Sequence, residues 1–367
     1  MKVVVFFAAA ALAAAAHGQT PMRTEGPGLK ASEDAREPTV LAACRKNQPP
    51  PPLDFAAIRK QIAASTYVPP TEVEGIPGVV KAGAKWKTIW TESGNNADGI
   101  VGLPDGSVLV AQQDNSDIVK IDAAGHASVI YRDTNTGGAI SISKEGQIFI
   151  VERGLNESIW QLYPTRKLLA DKFQGEPIDC LGNLGLNDLA AAANGGVYIT
   201  VGGLYYVAPD GTMSKQGNVS GTNGIILSAD EKTLYVTGGG FANGFLVAFD
   251  VQPDGSLTNE RTLTQFVGGG NGDGSTIDSE GRIYVTSRSV IDVIAPDGRV
   301  LGVIPAPKGD DIISVAFGGR GKRTLYAVAL NPALAKGGLG LPSDRMKQGG
   351  EVIAIEMIAK GYAGRPK

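Results

Sequence analysis

Four residues with oxygen-bearing side chains occupy one position of a repeated phrase, each just ahead of an apolar run: Asp98, Asn187, Asn223 and Asp273. Carboxylate and amide oxygens are hard donors, suited to one divalent cation, Ca²⁺ first and Mg²⁺ or Mn²⁺ after it. A carboxylate in such a set could also take a proton from water. Asp-Gly and Asn-Gly pairs are equally common turn formers, because Asp and Asn side chains bond their own backbone. Register favours a site. The remaining two copies carry Gly138 and Ile313 or Ser314 there, whereas a uniform turn requirement would keep one residue type. Other chemistries are poorly served. The chain has two histidines, His17 near the start and His126 in a turn beside Gly125, so a Ser-His-Asp triad lacks a base. Two cysteines and one mature histidine cannot build the usual tetrahedral site, which ranks Zn²⁺ last.

The elements that must position these residues are short strands. The phrase begins near residues 98, 138, 187, 223, 273 and 313, as in GAISISKEGQIFIV, NDLAAAANGGVYIT and NGIILSADEKTLYVT. Six copies at such intervals predict an all-β chain, a six-bladed β-propeller with an N-terminal extension. In Pro104-Asp105-Gly106, Glu145-Gly146 and Glu280-Gly281, glycine supplies the positive φ of a tight turn, and the residues that follow alternate as strands do. The last copy lacks a fourth strand, while Lys85 to Trp90 is an unclaimed strand ahead of the first. That segment is expected to complete the last blade and remove the open edges. The innermost strand of each blade lines the channel, so the four oxygens should converge at one mouth. An open β-sandwich is the rival architecture.

Ahead of the propeller, residues 1–18 read as a secretory signal: Lys2, an apolar run from Val3 to Ala16, and the small-x-small site Ala16-His17-Gly18. The run is too short to span a bilayer, which predicts an exported protein, periplasmic or extracellular, with no membrane association after processing. Residues 19–84 form a Pro-rich extension in which Leu53 to Ser65 is expected to be a short helix outside the propeller, with no chemistry assigned. Residues 85–367 are the propeller. Cys44 and Cys180 could form one disulfide in an oxidising compartment or remain buried thiols. A net charge of −3 with scattered basic residues excludes a nucleic-acid footprint and leaves a small-molecule partner. Oligomeric state is not legible.

The phrases LNDLAAAANGGVYIT, TNGIILSADEKTLYVT, GDGSTIDSEGRIYVTSRS and VAFGG, in this order, resemble successive blades of the senescence-marker-protein/gluconolactonase (regucalcin-like) family over about residues 85–358. The resemblance implies one divalent cation in the channel. Its implied ligands are Asn223, Asp273 and a first-blade Glu matched here by Asp98, which is one methylene shorter, so Asn95 or Asn96 could share the role. The family's further Asn, near substrate, matches Asn187. Some relatives carry an Arg two residues before that Asn, gripping a sugar acid; this chain has Gly185 there. Glu152 and Arg153 could compensate as substrate-binding residues, or form a surface pair. Loop tips from Gly238 to Gly244 and Leu330 to Gly349 are the expected rim of the pocket. The implied activity is metal-dependent hydrolysis of a small lactone, with Asp273 as general base and Asn187 orienting the ring oxygens. Aryl-ester, phosphotriester or lyase chemistry is the second reading, and a non-catalytic exported ligand-binding propeller the third. A channel plugged by apolar side chains would favour the last.

Overall fold

The structure, a computed structural model, describes residues 30–47, 54–64, 66–92, 96–182, 185–240, 243–307, 310–331 and 349–364. The signal-like segment, Asn95, residues 241–242 and most of the expected rim from 332 to 348 lie outside the described residues.

Each copy of the phrase becomes the first two strands of a four-stranded antiparallel sheet, and six such sheets form the propeller. The first blade runs outward through Ala97–Gly102, Val108–Gln112, Asp117–Ile121 and Ala127–Tyr131. The second uses Gly137–Ile142, Ile148–Glu152, Ser158–Tyr163 and Lys167–Ala170. The third begins with Leu189–Ala191 and Val197–Val201, the fourth with Ile225–Leu227 and Thr233–Gly238, and the fifth with Ser275–Ile277 and Ile283–Ser287. The sixth runs Asp311–Gly318, Thr324–Asn331 and Gly349–Glu356, and its outermost strand is Lys87–Glu92 from ahead of the first copy. The expected closure is therefore present. Lys87 stands opposite Ala354 and Thr91 opposite Glu351.

Apolar side chains of the inner strands pack face to face between neighbouring blades. Val101, Leu109, Ile140 and Ile150, for example, fill the layer between the first and second. At the channel rim the blades are joined by hydrogen bonds from threonines that stand next to last in the second strands. Thr200 Oγ1 donates to the Asn223 carbonyl at 2.6 Å, and Thr237 Oγ1 to the Gly272 carbonyl at 2.7 Å. Thr286 Oγ1 lies 3.3 Å from the Ile313 carbonyl. Each bond crosses to the next blade, and all three threonines are fully buried.

The extension is built into this ring. The helix forms over Phe55–Ala63, inside the expected span. Val73, Ile76, Val79 and Val80 are buried against the fifth and sixth blades, and the amides of Ile358 and Ala359 donate to the Val79 carbonyl at 2.9 and 3.0 Å. Cys44 and Cys180 are joined in a disulfide. This clips residues 30–47 to the short helical turn Ile178–Cys180 that precedes the third blade.

A buried acid pair lies beside the closing strand. Glu351, opposite Thr91, accepts from Asn331 Nδ2 at 3.3 Å, with Asp310 next to it. Burial, and then the Glu351 charge, push Asp310 from 3.8 up to about 6. The folded state thus binds more protons than the unfolded state across that window. Stability is highest below it, falls as pH rises through it, and levels off above. Calorimetric scans across this window should show Asp310→Asn melting higher than the parent above pH 6, with a flatter pH dependence below.

Candidate active site in the channel

One small cavity of about 70 Å³ opens at the channel mouth, and its wall contains Asp98, Asn187, Asn223 and Asp273 together with Asn96 and Arg153. The convergence expected from register is therefore realised. Gln113, Asp114 and Lys30 add polar groups, and Ala97, Ile313 and Leu330 supply the apolar part. Glu152 is a correction. It is not part of the wall, because successive residues of a strand face opposite ways. Its carboxylate lies against Arg166 Nη2 at 3.1 Å instead. The surface-pair alternative also falls, since Glu152 and Arg153 are both buried.

The glycine after three of the site residues has a reason other than a turn. Gly99, Gly224 and Gly274 keep ordinary backbone angles, but a Cβ on any of them would collide with the next blade. On Gly99 it would sit 2.7 Å from Ala139 Cα, and on Gly274 it would sit 2.8 Å from Ser314 Cα. Inner strands come this close near the axis, so each Asp-Gly or Asn-Gly step presents an oxygen to the channel and leaves its neighbour's backbone room.

Arg153 organises one half of the cavity. Its Nη1 donates to Asp98 Oδ2 and lies 3.4 Å from Gln113 Oε1. Its Nη2 donates to the Asn187 carbonyl and, at 3.0 Å, to Asn187 Oδ1. A guanidinium only donates, so it is met by the amide oxygen, and the Asn187 nitrogen is turned away from it. The guanidinium occupies the space that a side chain at Gly138 would fill, since a Cβ there would overlap Arg153. This explains why the second copy breaks the Asp/Asn pattern. A relative's arginine could not stand at Gly185, where φ is +73° and a Cβ would collide with Glu157 Oε1. Glu157 is fully enclosed and accepts the Leu186 amide, and burial pushes its carboxyl well above the ordinary value. Arg153 reaches Asn187 from the second blade instead.

The other half holds Asn223 and Asp273. Asn223 Oδ1 is buried and has no hydrogen-bond partner among the described residues. An orphaned amide oxygen sharing a small cavity with a carboxylate fits a hard cation. Asp98 and Asn187 fit it less well, because Arg153 already engages both. Among the described residues no cluster of three or more His, Cys, Asp or Glu could hold a metal, so such an ion would rest on one carboxylate and amide oxygen.

Sequence reading missed Gln113 and Lys30. Gln113 had a signal, because Gln112 pairs with Ala97 as Glu152 pairs with Gly137, making Gln113 the register equivalent of Arg153. Lys30 had none. His126 is exposed beside Asp122 at 3.0 Å and is absent from the cavity wall.

Removing one member of a buried ion pair strands the other. Arg153→Met should lower unfolding free energy by about 3 kcal/mol in urea titrations, and adding Asp98→Asn should recover part of the loss.

Comparison with known proteins agrees with this architecture. The family model described as the SMP-30/gluconolactonase/LRE-like region matches residues 115–331. A gluconolactonase from Zymomonas mobilis is 22% identical over 289 residues, covering 69% of this chain and 79% of that protein. Lactonase drp35 from Staphylococcus aureus is 29% identical over 192 residues, 47% of this chain and only 57% of the relative. Among solved structures, the gluconolactonase XC5397 of Xanthomonas campestris superposes with a TM-score of 0.61 at 18% identity, covering 79% of this chain and 95% of that one. The calcium-binding protein regucalcin of Agrobacterium tumefaciens gives 0.52 at 19% identity, covering 73% and 93%. With more than half of its length matched in a six-bladed propeller, the chain belongs to the SMP-30/gluconolactonase/LRE-like family.

Proposed function

We propose that this protein hydrolyses a small lactone in the channel cavity, with Asp273 as general base and a divalent cation, Ca²⁺ first, beside Asn223 and Asp273. The observation that carries the reading is the pairing of the orphaned Asn223 oxygen with the Asp273 carboxylate on one polar wall. An apolar plug would have favoured a binding protein, and the wall is mostly polar. Relatives named gluconolactonase and lactonase support the reaction class.

When bound, the cation supplies positive charge beside the lactone carbonyl and lowers the pKa of water. Asp273 accepts a proton as the water oxygen bonds to the carbonyl carbon. The ring C–O bond then breaks as the Asp273 carboxyl returns that proton to the ring oxygen, which leaves as a hydroxyl and gives a hydroxy acid. Asn187, its amide oxygen held by Arg153, directs its nitrogen donors toward the substrate. Arg153 is thus a positioning residue, and it neutralises Asp98 where the family resemblance implied a metal ligand. Export belongs to the same proposal, since the signal-like leader and the disulfide both suit an oxidising compartment. No helix among the described residues is long and apolar enough to cross a membrane.

The test is a lactone panel assayed with calcium and with chelator. Turnover should fall on chelation and return with calcium. Asp273→Asn should lower kcat/KM by about a hundredfold to ten-thousandfold, the usual range for loss of a general base. Unchanged turnover and calcium affinity in that variant would refute the assignment. Hydrolysis of aryl esters or phosphotriesters in place of lactones would move the reading to the second chemistry.

A further inference from the structure

The N-terminal segment reaches the channel mouth. The Ala31 amide donates to the carbonyl of Arg153 at 2.8 Å, and Ala31 is 3% exposed. Lys30, one residue earlier, is part of the cavity wall. From there the chain passes through the turns Ala31–Glu33 and Glu37–Leu41 to two anchors on the propeller. One is the Cys44–Cys180 disulfide. The other is the Glu176 carboxylate, which accepts the amides of Arg45, Lys46 and Asn47 at 2.6, 2.7 and 2.8 Å. These amides, Asn47 foremost, hold the Glu176 carboxyl at about 2, so this anchor stays ionised at any ordinary pH.

An ammonium offers three donors and no acceptor, so a ligand group facing Lys30 must accept hydrogen bonds. We propose that Lys30 is a substrate-contacting residue that recognises oxygen substituents on the lactone ring, and that the doubly anchored segment 30–47 exists to hold it over the cavity. The inference rests on the lactonase reading above and adds the specificity element to it. It also makes the site composite, with one wall residue coming from outside the propeller.

The experiment compares gluconolactone, whose ring carries hydroxyls, with δ-valerolactone, whose ring carries none. Loss of a charge-assisted hydrogen bond in Lys30→Ala should lower kcat/KM for gluconolactone about tenfold to hundredfold while δ-valerolactone changes less than about twofold. Lys30→Arg should restore most of the preference, which a merely structural role would not do. The Cys44→Ser/Cys180→Ser double variant should shift the ratio the same way, and thermal scans report whether each variant is folded. If the double variant does not fold, the Lys30 variants carry the test alone. An unchanged ratio in Lys30→Ala overturns the proposal. If the wild type hydrolyses neither lactone, the proposed function fails, and calorimetric titration with gluconate decides the inference separately. Weaker binding by Lys30→Ala supports it; equal affinity, or no binding by the wild type, overturns it.

Discussion

The geometry of the channel depends on how one blade is tied to the next at the rim. Thr200, Thr237 and Thr286 stand next to last in the second strands of consecutive blades, and their hydroxyls approach carbonyls of the following blade. Buried hydroxyls need such partners, and the partners here include the carbonyl of Asn223 and that of Gly272, next to Asp273. Each bond therefore sets where the next site residue stands. The glycines after Asp98, Asn223 and Asp273 belong to the same constraint, because a Cβ would hold the blades apart. The site oxygens are held by ring packing more than by contacts among themselves, which is preorganisation supplied by rigid strands.

Charge divides the cavity within that frame. Asp98 is a half-buried carboxylate whose partner, the buried Arg153, reaches it across a gap left open by Gly138. The cost of bringing a guanidinium into the channel is offset by its several acceptors, among them the Asp98 carboxylate and both oxygens of Asn187. Asn223 and Asp273 stand on the other part of the wall, where the Asn223 amide oxygen is buried with no hydrogen-bond partner among the described residues. A polar cavity with a guanidinium on one side and a carboxylate beside an amide oxygen on the other suits hydrolysis, in which one face must orient a ring and the other must activate water.

The extension completes the molecule at both ends of this arrangement. Its later part wedges Val73, Ile76, Val79 and Val80 against the fifth and sixth blades and continues into the strand that closes the ring. Its earlier part is clipped by the disulfide and bonded through Ala31 to Arg153. Ring closure, the channel mouth and the cysteine pair are thus connected through one segment that precedes the repeats.

Much of the fold was legible because its determinants are local. Alternation, turn glycines and six copies of one phrase specify strands and their order, and a strand left over before the first copy can pair only with the incomplete last one. The shared register of Asp98, Asn187, Asn223 and Asp273 carried them to one cavity for the same reason. Glu152 and Arg153 were indistinguishable as neighbours at a strand end, and only the strand's orientation turned one inward and the other out. The cysteine pairing and the placement of Lys30 beside Arg153 join residues more than a hundred positions apart. Repeat arithmetic determined which side chains face the axis. What stands against them was decided by tertiary packing, because a contact between distant segments leaves no periodic mark in the chain.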